Sequence, residues 1–467
     1  MNRCLKILSL CCLLIWGLPA TGFAQMETEE NKDEKMVKAI FDEALQSGET
    51  YQLLDYLCNT IGPRLSGSEN AAKAVQWTRQ VMESFPFDNV FLQSVMVPHW
   101  ERGAKEIAQI VPKSGNRVDL NVLAIGGSVP TADDGILAEV VEVQSLDEVA
   151  ELGREKIAGK IVFYNRAFDQ RVIRTGAGYG GAVDQRARGA SRAAEFGALG
   201  IVIRSVTSSF DDQPHTGTLI YADSLPKIPA AALGFQSADK LTDALKNNPA
   251  LKLFLKINSK WFEDAPSHNV IGELKGSENP DEIILVGGHL DSWDVGHGAH
   301  DDGAGCMHSI IALRTLQKIG YKPRHTLRAV MFMNEENGTR GGKKYAELAV
   351  QNGENHLVLI ESDAGGFSPR GFGVTAEDSS LEKMRNWLPL FPRETISFFN
   401  KGGGGVDIGP LHKADGSPMI GFMPDSQRMF DVHHSANDTF DSVNRRELEL
   451  GTASIAALIY LIDQYGM

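Results

Sequence analysis

Glu282-Ile283-Ile284-Leu285-Val286-Gly287-Gly288-His289-Leu290-Asp291-Ser292 runs from an apolar stretch into glycines, a histidine and an aspartate. A short apolar run bounded by turn formers reads as a strand buried on both faces. The arrangement recurs downstream. A helix is expected over residues 304–318. An apolar strand over 327–333 leads to Glu335-Glu336, and a second helix is expected over 341–351. Strand 357–360 leads to Asp363, and strand 418–423 precedes His433-His434. Strands alternating with helices predict an α/β fold, a mixed sheet with a parallel centre and helices on its faces. Each polar motif follows the C-terminal end of a strand, where open α/β sheets form their binding crevice.

The residue types at those strand ends suit metal chemistry. Imidazole and carboxylate ligate zinc, and a pair of ions can hold a water between them as a nucleophile. The expected ligands are His289, Asp301, Glu336, Asp363 and His434. Asp301, within Gly298-Ala299-His300-Asp301-Asp302-Gly303, is expected to bridge two ions through its two oxygens. His289 and Asp363 then fall to one ion, and Glu336 and His434 to the other, giving two Zn2+ per chain. If the backbone is extended at the acidic pair, Glu335 points away from Glu336 and faces the water. Glu335 is therefore the expected general base. Asp291, two residues after His289, is expected to accept a hydrogen bond from the second imidazole nitrogen. His433 is a candidate for oxyanion or substrate contact.

Taken singly, these motifs are weak. An acidic pair is usually a solvated surface feature, and Asp-Asp-Gly is usually a turn. Their common position after strands makes the combination specific. The local motif His-Glu-x-x-His is absent. His297 and His300 lie near in sequence but are not assigned as ligands. His308, His325, His356 and His412 read as surface or helix residues.

Upstream, residues 36–85 show apolar positions at helical spacing, with Ser68 placed to cap a helix and a strand following over 89–97. From 104 to 257 the texture changes to short apolar runs between glycine-rich turns. Residues 176–181 read as a mobile loop, and His215 is the only histidine there. This stretch reads as a largely β domain inserted between hydrolase segments 36–103 and 258–467. Its runs Gly159-Lys160-Ile161-Val162, Gly197-Ala198-Leu199-Gly200-Ile201-Val202-Ile203 and Ile228-Pro229-Ala230-Ala231 resemble a protease-associated domain. Glycines 402–405 fit either a flap over the cleft or a surface turn.

Ile61-Gly62-Pro63-Arg64-Leu65-Ser66-Gly67-Ser68, Pro98-His99-Trp100-Glu101-Arg102-Gly103, Gly287 to Asp294, Glu361-Ser362-Asp363-Ala364-Gly365 and His433-His434-Ser435 together resemble the zinc-dependent dizinc exopeptidases of the M28 type. The resemblance implies the same five ligands, Glu335 as base, and a peptide between Asp301 and Asp302 that is often cis. It also implies hydrolysis of dipeptides or short peptides, with carboxypeptidase or dipeptidase action expected first. The residues themselves leave open which terminus is read. An aminopeptidase on the same site is the main alternative. A single-zinc glutaminyl cyclase is a further one. A non-catalytic binding protein on this fold is expected to have lost ligands or the base, and all are present here.

The 467-residue chain is long enough for two or three domains, and its 42% hydrophobic and 23% charged content is ordinary for a globular protein. Arg3 and Lys6 precede an apolar run over 7–18, and Thr21-Gly22-Phe23-Ala24 supplies small residues at a cleavage position. Residues 1–24 therefore read as a secretory signal, which predicts a secreted or periplasmic protein with no stable membrane anchor. Its removal takes away two basic residues and no acidic one, moving the net charge from −14 to −16. Such an acidic chain is a poor partner for nucleic acid or anionic membrane. Residues 25–35 read as a flexible leader. Cys58 and Cys306 are the two cysteines left, and they fit either a bridge or two free thiols. The sequence does not exclude a homodimer.

Overall fold

The computed structural model describes residues 29–467. The expected signal segment and the start of the leader lie outside the described residues. From Glu29 the chain is already helical, and the helix Glu29–Ser47 takes in residues assigned above to a leader. Asp33 is buried there and accepts hydrogen bonds from the Tyr460 and Tyr465 hydroxyls at 2.6 Å each. That tie holds an otherwise polar segment against the body of the protein.

The first sheet has eight strands. They are β1 (Asn89–Glu101), β2 (Lys260–Leu274), β3 (Asn279–His289), β4 (His325–Phe332), β5 (Asn355–Glu361), β6 (Pro369–Thr375), β7 (Phe398–Lys401) and β8 (Met419–Pro424). Their order across the sheet is β1-β2-β4-β3-β5-β8-β6-β7. The central four, β4, β3, β5 and β8, pair in parallel, while β1, β2 and β6 join antiparallel. The expected mixed sheet with a parallel centre is thus observed.

Side chains explain the layering. Along β3, Ile284 and Val286 enter the core under the helices Ala304–Lys318 and Arg445–Tyr465. Ile283 and Leu285 point to the opposite face, against Tyr345 and Ala346 of the helix Arg340–Asn352. Period-two alternation between two buried faces is why these strands read as unbroken apolar runs. Asn444 caps the 21-residue helix Arg445–Tyr465 by accepting from the Glu447 amide, and Ser68 caps the helix Glu69–Ser84 through the Ala71 amide. Among the described residues, no helix is long and apolar enough to cross a membrane. Cys58 and Cys306 are buried free thiols, and burial pushes Cys58 up to about 12.

The second sheet takes all eight strands from between Ile107 and Lys256. It is less purely β than its texture suggested. The helices Leu146–Ile157, Val183–Glu195 and Phe235–Asn247 interleave with its strands, and the helix Thr175–Gly180 takes in most of the expected mobile loop. Pro98 to Gly103 marks the passage between the sheets. Arg102 pairs there with Asp294 and Glu106, and the Trp100 indole donates to the Ser128 carbonyl.

Three histidines read as surface or helix residues prove to be buried: His308, His325 and His356. His308 is held between the Ser362 hydroxyl and the Leu448 carbonyl, and burial lowers its pKa to about 4. His356 meets the Tyr345 hydroxyl and is likewise lowered to about 4 by burial. A histidine depressed in the folded state takes up its proton on unfolding. Its contribution to stability is full above the ordinary value of 6.5 and lost as pH falls from 6.5 toward 4. The buried histidines are expected to pull the melting temperature of metal-free protein down over that window, against raised carboxyl groups such as Glu336, which pull it up. The downward pull should be weaker in His308→Gln, measured by thermal unfolding at a series of pH values; an identical slope would exclude His308 as a contributor.

Candidate metal centre

The five expected ligands come from five separate places and meet at the C-terminal edge of the parallel strands. His289 ends β3, Asp363 follows β5, and Glu336 lies in the turn after β4. Asp301 sits in a tight segment before the helix Ala304–Lys318, where the Asp301–Asp302 peptide is cis. His434 lies beyond β8 with a left-handed backbone, φ 59°.

The distances sort these groups into two halves. His289 Nε2 is 3.1 Å from Asp301 Oδ1 and 3.4 Å from Asp363 Oδ1. His434 Nε2 is 3.2 Å from Asp301 Oδ2 and 3.2 Å from Glu336 Oε2. Asp301 therefore gives one oxygen to each half. Ligands of a tetrahedral zinc ion, each about 2.0–2.1 Å from the metal, lie about 3.3 Å apart. The nitrogen and oxygen donors thus fit such an ion at each half. Grouping atoms by mutual proximity alone also brings in His433 and Asp302. Asp302 is already used: its oxygens accept from the backbone amides of His289 and Gly305, at 3.0 and 3.1 Å.

Backbone contacts divide eight carboxylates of this region, with Asp407, buried with both oxygens unpartnered, outside the division. Asp302, Asp291, Glu361 and Asp438 each accept two backbone N–H groups. Among the described residues, Asp301, Glu335, Glu336 and Asp363 have no backbone hydrogen bond to their carboxylates. Asp301 Oδ2 and Glu336 Oε1 are buried without any hydrogen-bond partner. A buried polar oxygen without a donor is costly, so these atoms await a cation.

The charges of the cluster respond to one another. Burial pushes Glu336 up to about 7, and Asp301 beside it adds to the effect. Burial also raises Glu335 well above the carboxylate range, with Asp363 and Glu336 contributing. Burial acts against ionisation of Asp301 as well, but the adjacent His289 and His434 imidazoles outweigh it and hold Asp301 well below its usual value. His433 stacks on His434 with centroids 3.5 Å apart, and burial and that neighbour keep it neutral.

Two expectations need correction. Asp291 does not hold the second nitrogen of His289 through its carboxylate, which lies 3.9 Å away. The Asp291 backbone carbonyl does so at 3.0 Å. Accepting that N–H fixes the tautomer that leaves Nε2 free to ligate. The carboxylate instead accepts from the amides of Asn334 at 2.7 Å and Glu335 at 3.1 Å, so Asp291 is a positioning residue. The acidic pair, moreover, lies in a turn rather than in extended backbone. Its side chains still part, Glu336 meeting His434 while Glu335 lines the cavity, and Asn334 ahead of them is left-handed, φ 73°. His297 and His300 do not face the cluster. His297 Nδ1 accepts from the Phe440 amide, while His300 stacks on Phe367.

Other residues set this geometry without being candidate donors or bases. Arg64 is fully buried, and its three nitrogens donate to the carbonyls of Leu290, His297 and Gly298. Of the glycines at 402–405, Gly402 faces open space, while a side chain at Gly403 would strike the Gly373 backbone and one at Gly405 the Glu361 carboxylate. The inserted stretch reaches the site as well: His215 donates to the His433 carbonyl at 2.6 Å, and the Thr216 amide to the His434 carbonyl at 2.9 Å.

Comparison with known proteins decides the family. Residues 269–459 match the model of peptidase family M28. Carboxypeptidase Q of Bos taurus is 36% identical over 88% of this chain and 85% of its own length. Carboxypeptidase Q of Homo sapiens is 34% identical over 94% and 92%. The chain belongs to peptidase family M28. The crystal structure of a peptidase M28 precursor from Shewanella amazonensis, 34% identical, superposes with a TM-score of 0.88 over 93% of this chain and 97% of that one. This M28 chain is accordingly a zinc metallopeptidase, and its two-sheet α/β architecture is that of its structural relatives.

Asp291→Ala frees the amides of Asn334 and Glu335 but leaves the carbonyl that orients His289. Its kcat/KM is expected to fall about 10- to 100-fold with zinc content unchanged by metal analysis. Loss of zinc in parallel with activity would show that the carboxylate supports the ligand after all.

Proposed function

We propose that this M28 peptidase is a dizinc exopeptidase that hydrolyses dipeptides or short peptides in the carboxypeptidase manner of the relatives it resembles. The two imidazole–carboxylate halves sharing Asp301 carry the reading. His289 and Asp363 would hold one ion, Glu336 and His434 the other, and Asp301 both. Zinc, when bound, supplies Lewis-acid polarisation of the peptide carbonyl and a more acidic water.

The remaining chemistry belongs to the protein. Glu335 is half-buried at the cavity wall, beside the halves but outside them. Its carboxylate takes a proton from the attacking water and delivers it to the leaving amine. Asp291 holds the turn that presents it. Neutral His433 lines the same cavity and is placed to donate to the oxyanion. The cavity, about 1580 Å3, is lined from the inserted stretch by Tyr179, Leu219, Ile220 and Tyr221. A cavity walled on that side over the strand ends favours short peptides over folded chains. Residues 1–24 are proposed to export the enzyme to a secreted or periplasmic location.

The test is hydrolysis of free dipeptides by purified protein, together with a zinc count. Two zinc ions per chain and loss of activity on chelation are expected. Glu335→Gln is expected to lower kcat about 1000-fold with both ions retained. Full zinc occupancy without peptide hydrolysis, or an active Glu335→Gln, would overturn the reading.

A further inference from the structure

Four of the five candidate ligands are carried by the frame of the first sheet. His289 ends β3, Glu336 and Asp363 closely follow β4 and β5, and Asp301 precedes the helix Ala304–Lys318. His434 is different. It lies past the end of β8, after the short helix Met429–Val432, and its backbone is left-handed, φ 59°. That conformation costs a residue with a side chain energy, and it persists only where neighbours hold it.

The neighbours that hold it come from the inserted stretch. The Thr216 amide donates to the His434 carbonyl at 2.9 Å, and His215 Nδ1 to the His433 carbonyl at 2.6 Å. The Thr207 hydroxyl and the Ser208 amide both reach the Phe430 carbonyl, at 2.8 and 3.2 Å. The Ser208 hydroxyl meets Asp431 at 2.7 Å, and the Phe430 ring stacks on Tyr179 with centroids 4.7 Å apart. Among the described residues, the other hydrogen bonds and ion pairs of 429–434 beyond their own turn join an imidazole to Arg186, Asp301 or Glu336.

His215 is the buried member of this clamp with the clearest purpose. A carbonyl only accepts, so the ring carries its proton on Nδ1, and Nε2 is left as a buried acceptor without a donor. An apolar ring would avoid that cost. What the imidazole gains over an apolar ring is the bond to the peptide group that joins His433 to His434. Burial lowers its pKa to about 4, so it donates as a neutral ring.

We propose that His215, with Thr207 and Thr216 beside it, is a positioning residue for the candidate ligand His434, so that the inserted stretch sets the metal affinity of the half formed by His434 and Glu336. The half formed by His289 and Asp363 depends on the first sheet alone. This rests on the dizinc reading above and adds to it which part of the chain controls which ion. A disturbance of the insertion therefore weakens one ion and spares the other.

The test titrates metal-free protein with Zn2+ by calorimetry against a competing chelator, and with Co2+ followed by absorption. His215→Phe should weaken one ion about 10- to 100-fold and the other by less than about threefold. Thr207→Val should act in the same sense to a smaller degree, and it serves if His215→Phe does not fold. His215→Asn places an amide nitrogen near the position of Nδ1 and should recover most of the loss. The weakened ion has to be the one that His434 holds, so adding His215→Phe to His434→Ala should change the remaining ion by less than about threefold. Tyr164→Phe breaks a buried bond to the Gly189 carbonyl elsewhere in the insertion and should leave both affinities as they are. Equal weakening of both ions, weakening of neither, or the same loss in Tyr164→Phe would overturn the proposal. A wild type that takes a single ion would end the dizinc reading. The positioning role stands in that case if His215→Phe and His434→Ala both weaken that ion, and falls if His434→Ala alone does.

Discussion

Buried negative charge at the ends of the parallel strands is the constraint around which this protein is arranged. Asp301, Glu335, Glu336 and Asp363 converge at the cavity wall, the first and third buried and the other two half-buried, and Asp291, Asp302, Glu361 and Asp438 stand buried close behind them. Isolated carboxylates in such a place cannot all be ionised without compensation. The outer four are compensated by pairs of backbone amides. The inner four are not, and only cations can take that role. The same charge that would make an empty site unfavourable therefore makes it a tight receptor for divalent metal.

Backbone shape is what lets the outer carboxylates do this. Asp302 reaches the amides of His289 and Gly305 because the segment 299–303 is kinked into the start of a helix. Asp291 reaches the amides of Asn334 and Glu335 because Asn334 is left-handed, a conformation asparagine tolerates better than most residues. Arg64 binds the carbonyls of the loop between His289 and Asp301 from below. The loops that carry the candidate donors are thus held by side chains outside the cluster, which keeps the donor atoms in place.

The second sheet shapes part of the site. Its helix Val183–Glu195 and the segment containing His215 and Thr216 lie against His433 and His434, so one wall of the cavity belongs to the insertion. A stretch without any metal ligand still contributes a charge, a hydroxyl and apolar surface beside the reacting atoms. No pattern in the chain hints at this. Arg186 in an amphipathic helix looks like any surface arginine, and its surroundings include His434, 248 positions away.

Much of the fold and the metal centre was legible in the sequence. Apolar runs marked β3, β4, β5 and β8, and the polar residues just beyond them marked the candidate donors that meet in the cluster, because strand ends in a parallel sheet converge whatever the loops do. His289, Asp301, Glu336, Asp363 and His434 were readable for that reason. Their partners were not. Whether the Asp291 carboxylate or its carbonyl meets His289 depends on a local turn, and whether His308 and His356 are buried depends on which helices cover them. Composition and order along the chain therefore determined the fold class and the donor set. Only the tertiary structure decided which carboxylates are spent on backbone amides and which are left for metal. Those outcomes turn on hydrogen-bond geometry between segments far apart in sequence, and no local pattern encodes it.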